Sequence, residues 1–338
     1  MHLINEYRIL MAVIKANLFN IKTPINVMWR ITNKCDSRCK YCNIPLRKQR
    51  ELSTRQILNL ISQMQEAGTQ RIGFVGGEPL CRDDIGLIID KCHKLGIYTT
   101  MVSNGTFVQK KIKEIRKLDF LVVSLDGSKE IHEKNRKKGS YENVIKAIRT
   151  ATKYMPVMTN TVLNKDNSHS VDHVLKLSKK LGFCTHFNVI QGANSHLPDD
   201  KYKLVLKKLK AKKRQGYPIV MSDKLIKYYL SWPDFRMPVT KTRLKSAPRC
   251  WAGKLFCNVD TDGSIGHCDL QRNTGFNVLE VGFKKAFNKL PRINCQGCTC
   301  ANLVDYNYMF SMHWDVIYDW FKMVHQGKRS LKPIIKVD

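Results

Sequence analysis

The sequence predicts an α/β fold, a partial (β/α)6 TIM-like barrel with a small C-terminal cysteine-rich domain. Three observations predict it. Short β-rich runs alternate with helical patterns from Ile25 to about Gln191, helix start and stop residues fall between those runs, and most of the twelve cysteines gather in two tight groups. With 338 residues and 43% hydrophobic content, the chain can bury a sizeable core, which argues against intrinsic disorder.

Residues 1–24 read as an N-terminal amphipathic segment containing the apolar run Ile9 to Ile14, with Lys15 and Lys22 near its end. The run is too short to span a bilayer, and no small-residue cleavage site follows a basic start. Its expected roles are to cover the open bottom of the barrel or to rest on a membrane surface. The barrel spans 25–195. Its expected strands are Ile25 to Ile31, Arg71 to Val75, Tyr98 to Val102, Phe120 to Leu125, Val157 to Leu163 and Phe183 to Ile190.

Between the first two strands, Ser53 and Gln56 form a capping-box pattern, Ile57, Leu58, Ile61 and Met64 make an apolar face, and Gly68 suits the stop. Asp83 or Asp84 opens a second helix that ends near Gly96, Ser140 opens one through Ala151, and Ser168 or Ser170 opens one that ends before Gly182. A basic helical connector (196–249) follows, led by the lysine-rich helix Lys201 to Arg214. The cysteine-rich domain covers 250–305, and a closing helix from Tyr306 to Val324 with a basic tail fills 306–338.

Lys plus Arg number 58 against 28 Asp plus Glu, a formal charge of +30 that attracts anions such as nucleic acid, phospholipid headgroups or acidic peptides. A lysine-rich surface also arises from general composition, so the charge narrows partners without choosing one. The clustered cysteines are unlike the framework of a short secreted disulfide scaffold and point to metal binding in a reducing cytoplasm. Cys81, Cys92 and Cys184, outside the two groups, read as buried small hydrophobes.

In parallel α/β folds, working residues gather in loops at the carboxyl ends of strands. Directly after the first expected strand comes Cys35-Asp-Ser-Arg-Cys39-Lys-Tyr-Cys42, which can aim three thiolates at one centre and leave a fourth position open. A structural zinc normally takes four protein ligands, whereas an iron–sulfur cluster with three cysteines keeps one iron free. The next three strands end in Gly76-Gly77-Glu78-Pro79, Ser103-Asn104-Gly105 and Ser124-Leu125-Asp126-Gly127, the last followed by His132 and Arg136. Taken singly, these are ordinary strand-ending turns and surface charges.

Together, the four strand ends resemble the radical S-adenosylmethionine (SAM) superfamily, whose cluster loop shares this cysteine spacing, with Tyr41 matching an aromatic residue before the last cysteine. The resemblance implies that Cys35, Cys39 and Cys42 hold a 4Fe-4S cluster and that Gly76, Gly77, Glu78 and Pro79 contact the SAM amino group. It places Ser103, Asn104, Ser124, Asp126 and Arg136 in the same pocket, with Ser124 and Arg136 on the carboxylate or ribose. It further implies reductive cleavage of SAM to a 5'-deoxyadenosyl radical that abstracts hydrogen, with electrons from an external low-potential donor such as flavodoxin or ferredoxin.

The spacing Cys250-x12-Gly263-x4-Cys268, followed by Cys295, Cys298 and Cys300, resembles the auxiliary-cluster domains called SPASM and its shorter form, twitch. It implies a second 4Fe-4S cluster on Cys250, Cys268, Cys295 and Cys298, with Cys257 and Cys300 as alternative ligands and structural zinc as the competing occupant. Asp269 is the candidate catalytic proton acceptor beside that metal, though a carboxylate there also suits a cap. The expected substrate is a ribosomal peptide or a lipid, with peripheral contact to an anionic membrane as a further expectation and with nucleic acid disfavoured. The competing reading is a non-enzymatic zinc-binding module that docks on nucleic acid through its basic surface.

Overall fold

The structure is a computed structural model describing residues 2–190, 197–272, 275–291, 293 and 295–319. Helix α1 (His2–Leu18) leads to β1 (Asn26–Thr32), and then come α2 (Thr54–Glu66), β2 (Arg71–Gly76), α3 (Ile85–Lys94), β3 (Tyr98–Ser103), α4 (Val108–Ile115) and β4 (Phe120–Ser124). The alternation continues through α5 (Lys129–Asn135), α6 (Ser140–Ala151), β5 (Val157–Leu163), α7 (Val171–Leu181) and β6 (Cys184–Val189). All six strands expected from the sequence form, and each lies parallel to the next, as a partial TIM-like barrel requires.

Local chemistry explains the helix ends unevenly. Ser53 and Gln56 make the full capping box, and Ile57, Leu60, Ile61 and Met64 face the core, while Leu58 is only half-buried. Asp84 occupies the N-cap of α3 without capping it, because its carboxylate is taken by Arg82 at 2.6 Å and by Thr54 at 2.6 Å. Ser170 likewise makes no side-chain cap to α7, whereas α6 runs from Ser140 to Ala151 as expected, with Gly139 at φ 78° in the N-cap position. Helices α4 and α5 have no counterpart in the sequence expectation, being short and interrupted by lysines that blur an apolar period.

Beyond the barrel strands lie α8 (Asp199–Arg214), α9 (Asp223–Leu230), β7 (Val239–Thr240), β8 (Phe256–Val259) and β9 (Ile265–Gly266). They are followed by α10 (Val278–Val281), α11 (Phe283–Asn288), β10 (Gly297–Cys298) and α12 (Ala301–Phe310). Helix α12 starts ahead of Tyr306 and stops at a bend where Met312 has φ 59°. Residues 314–319 are helical again, and the rest of the expected closing helix lies outside the described residues.

The unanticipated feature is β8, which pairs in parallel with the free edge of β1, Trp29 opposite Val259, so that one sheet runs β6-β5-β4-β3-β2-β1-β8-β9. The cysteine-rich region is therefore built onto the barrel sheet itself. Helix α1 buries Ala12, Val13 and Ala16 against Trp251, Leu255, Phe256 and Phe310, and Asn5 Nδ2 donates to the Gly96 carbonyl at 2.7 Å, just ahead of β3. Cys92 is fully buried as expected, whereas Cys81 and Cys184 are only half-buried.

Placing an unpaired carboxylate in the α1 seam should be costly, because burial removes its hydration without supplying a partner. Val13→Asp is expected to destabilise the protein by about 3 kcal/mol or more. Tyr7→Asp, at a position 62% exposed on the same helix, should stay within about 0.5 kcal/mol of the parent, as thermal unfolding of the two variants will measure.

Candidate active site at the mouth of the barrel

The pairing of β1 with β2 slips between Arg30 and Thr32, a local irregularity that redirects the chain into the Cys35–Cys42 loop. The loop then lies on the end of β2. Gly77 N–H donates to the Thr32 carbonyl at 2.9 Å and Glu78 N–H to that of Lys34 at 2.8 Å. A Cβ on Gly76 would overlap the Thr32 carbonyl, and one on Gly77 would overlap those of Asn33 and Lys34. The two glycines thus permit a close backbone approach that any side chain would block.

Below this contact Glu78 is fully buried, its carboxylate accepting from Leu80 N–H at 3.1 Å, Ser103 Oγ at 3.0 Å and Asn104 N–H at 2.6 Å. Pro79 begins the short turn that follows. Burial outweighs those three hydrogen bonds and pushes the Glu78 carboxyl up to about 7. Asn104 Nδ2 reaches back to the cysteine loop, donating to Asp36 Oδ1 at 2.7 Å and Ser37 Oγ at 3.3 Å.

On the other flank, Asp126 is fully buried and accepts from Tyr41 Oη at 2.8 Å and from Arg136 Nε at 2.8 Å and Nη2 at 3.2 Å. Arg136 also lies 5.7 Å from the Tyr41 ring centroid, and its Nη1 is 4.0 Å from Cys39 Sγ. Arg136 is thus engaged with Asp126, a partner not expected for a residue proposed to hold the SAM carboxylate. His132 Nδ1 accepts from Asp126 N–H at 3.2 Å, and Ser124 ends β4, nearly buried.

Do these residues fit a cluster and SAM? Burial pushes the Cys35 thiol up to about 12, a neutral state that metal coordination would reverse, while the Arg136 charge works against burial at Cys39. Asn135, whose carbonyl accepts from Lys40 N–H at 3.1 Å, leaves its Nδ2 buried and unpartnered, as does the Nε2 of His132. Thiols and orphaned polar atoms at one strand end suit a polar cofactor. Among the described residues, no three His, Cys, Asp or Glu side chains converge as a single metal ion would need.

The second cysteine group surrounds one small cavity. Cys250, Cys268, Cys295 and Cys298 line one cavity together with Val239, Phe256, Leu270 and Leu303. Tyr228 Oη fixes Cys298 from both sides, donating to its carbonyl at 3.0 Å and accepting from its N–H at 3.1 Å. Burial pushes Cys268 up to about 11, while Cys250 is exposed to solvent. Of the two alternative ligands, Cys257 is fully buried within β8 opposite Val27, and Cys300 packs against the apolar cluster of α1 and Trp251.

Asp269 is not free. Its Oδ1 accepts from Asn258 Nδ2 at 2.8 Å and is ion-paired with Arg272. Sequence reasoning also missed a charged cluster at the ends of β1 and β8: Asp260, 2% exposed, pairs with Arg30 at 2.9 Å, Arg47 at 3.5 Å and Arg272 at 3.7 Å. One signal was available, an arginine inside an otherwise apolar strand, since buried Arg is rare without a partner.

This geometry defines a partial α/β barrel with a cysteine loop and buried, hydrogen-bonded carboxyl groups at the carboxyl ends of its strands. Residues 29–178 match the family model described as the radical SAM superfamily, and in that segment the chain is similar to radical SAM enzymes. The match implies a 4Fe-4S cluster and SAM as cofactors and favours an enzyme over the non-enzymatic zinc module. Two solved structures share the fold over most of the chain. One is Streptococcus suis SuiB bound to S-adenosylmethionine, at 15% identity and TM-score 0.65, covering 83% of this chain and 69% of that one. The other is anSMEcpe with bound AdoMet and Cp18Cys peptide, at 18% identity and TM-score 0.56, covering 90% and 99%. SuiB has also been solved with its precursor peptide SuiA, and that structure matches at 14% identity and TM-score 0.63, covering 85% and 75%. Among the described residues, no helix is long and apolar enough to cross a membrane.

Because its folded carboxyl sits near 7 rather than the ordinary 4.5, Glu78 holds its proton better folded than unfolded, so its share of stability is full below pH 4.5 and is lost as pH rises through 7. Glu78→Gln should flatten that part of the stability–pH curve. It should also destabilise by about 1–3 kcal/mol, because an amide NH2 cannot accept from every donor around it. Urea unfolding of both proteins across pH 4.5 to 8 measures both effects.

Proposed function

We propose that the chain modifies a peptide by hydrogen abstraction, using one cluster on Cys35, Cys39 and Cys42 and a second on Cys250, Cys268, Cys295 and Cys298. The observation that carries the second site is that all four of these cysteines, drawn from segments far apart in sequence, line one cavity. Peptide as the substrate class is supported by the shared fold with SuiB and anSMEcpe, both solved with peptides. When bound, the cluster and SAM supply reductive cleavage of SAM to a 5'-deoxyadenosyl radical.

The chain's own residues position and protect. Gly76 and Gly77 seat the cysteine loop, Glu78 and Asn104 lock it to the neighbouring strand ends, and the Tyr41–Asp126–Arg136 group fixes its far side. Ser103 braces Glu78, and Ser124 stands at the end of β4 beside them. Asp269, held by Asn258 and Arg272, is placed to accept a proton once the substrate displaces one of those partners. An external low-potential donor such as flavodoxin or ferredoxin delivers the electron.

A second reading concerns location. Ile4, Tyr7, Leu18 and Phe19 are 59–71% exposed on α1 and just after it, on a chain of charge +30, a pairing that suits peripheral contact with an anionic membrane and keeps a lipid substrate in view.

The first assignment is checked by anaerobic reconstitution with iron and sulfide. Cys35→Ala, Cys39→Ala and Cys42→Ala should each abolish 5'-deoxyadenosine formation, and retained cleavage in any of them would contradict the ligand set. Cys268→Ala and Cys298→Ala should lose about half of the bound iron yet still cleave SAM, whereas Cys257→Ala should keep the parent's iron content.

A further inference from the structure

The three arginines gathered around Asp260 at the ends of β1 and β8 outnumber the carboxylates paired with them. Arg30 and Arg272 are 4% and 15% exposed and Arg47 is 34% exposed, and the carboxylates facing this group are Asp260 and Asp269. Each guanidinium brings five N–H donors, whereas a carboxylate offers about four lone-pair sites. Part of that acceptor capacity is already spent, since Asp260 accepts from Thr261 N–H at 2.9 Å and Asp269 from Asn258. Arg30 Nε is left buried with no partner. Burial, helped by the neighbouring charges of Arg30 and Arg47, pulls Arg272 down to about 10, as expected where cations outnumber their counter-charges.

The cluster also sits where a substrate must come. Arg30 lies on the strand that feeds the Cys35–Cys42 loop, Arg47 follows the short turn Ile44–Leu46 just after Cys42, and Arg272 follows Cys268 by one short bend. Arg30 is within electrostatic reach of Cys42, and Arg272 of Cys268 and Cys300. An anion bound here would lie between the two cysteine groups.

We propose that Arg47 and Arg272, backed by the buried Arg30–Asp260 pair, receive a carboxylate side chain of the peptide substrate, an aspartate or a glutamate. Planar guanidinium forks bind carboxylates through paired hydrogen bonds, and the long-range field of a +30 chain draws an acidic segment toward them. This inference rests on the peptide reading above.

The test uses the anaerobically reconstituted enzyme and fluorescently labelled octapeptides of alternating Gly-Glu or Gly-Gln, with binding followed by anisotropy at physiological salt. The Gly-Glu peptide should bind saturably and the Gly-Gln peptide should not. Arg47→Gln and Arg272→Gln should each weaken Gly-Glu binding by about tenfold or more, the loss expected for a charge-assisted hydrogen bond. Lys201→Gln with Lys207→Gln, which removes two exposed charges from α8, should change it by less than about twofold.

Absence of saturable Gly-Glu binding, or equal losses in the lysine and arginine variants, would overturn the proposal. A parallel loss of SAM affinity in Arg47→Gln would assign the site to the carboxylate of SAM and overturn it equally. Should Arg272→Gln fail to fold, the more exposed Arg47→Gln carries the test alone. SAM cleavage measured on the parent enzyme reports on the radical reading separately, so the two failures remain distinguishable.

Discussion

Everything at the mouth of this barrel depends on β1 being hydrogen-bonded along both edges. One edge meets β2 and the other meets β8, so a strand from the C-terminal region continues the barrel sheet. A free edge would be an open row of donors and acceptors, which proteins cover or pair. Covering it with β8 brings the chain that carries Cys250 and Cys268 beside the strand that feeds Cys35, Cys39 and Cys42. The pairing of Trp29 with Val259 then sets Asp260 next to Arg30.

That juxtaposition has an electrostatic consequence. Removing one partner from a buried ion pair typically costs about 3–5 kcal/mol, because the other charge stays desolvated. Arg30 and Asp260 are 4% and 2% exposed, so each is effectively obliged to keep the other, and this ties the end of β1 to the end of β8 independently of any metal. Arg47, 34% exposed and 3.5 Å from the same carboxylate, is less tightly held and better able to turn toward a new acceptor, whereas Arg272, 3.7 Å from it, is also ion-paired with Asp269.

Much of this was legible in the sequence because it is local. A seven-residue strand such as Val157–Leu163 is marked by its β-branched Val and Thr residues, and the Ser53 capping box needs only residues three apart. The cysteine loop and the glycines after β2 are also local signals at strand ends. What was hidden is tertiary. No pattern in Phe256–Val259 says that it will pair with β1, because a four-residue buried run could sit on any edge. The capture of Arg136 by Asp126, or of Asp84 by Arg82, is likewise invisible until the chain folds, since each side chain could equally have faced solvent or capped a helix.

The same distinction separates the two cysteine groups. Cys35, Cys39 and Cys42 share one short loop, so bringing them together closes little chain. The other four are assembled from the stretch before Trp251, the bend at Cys268–Gln271 and the β7–β10 pair, with Tyr228 of α9 gripping Cys298. Their cavity exists only once those elements have docked on the barrel sheet, because its walls, from Val239 to Asn307, are spread across the whole C-terminal region. The site is therefore a product of tertiary packing, and any metal held there is held by the completed fold.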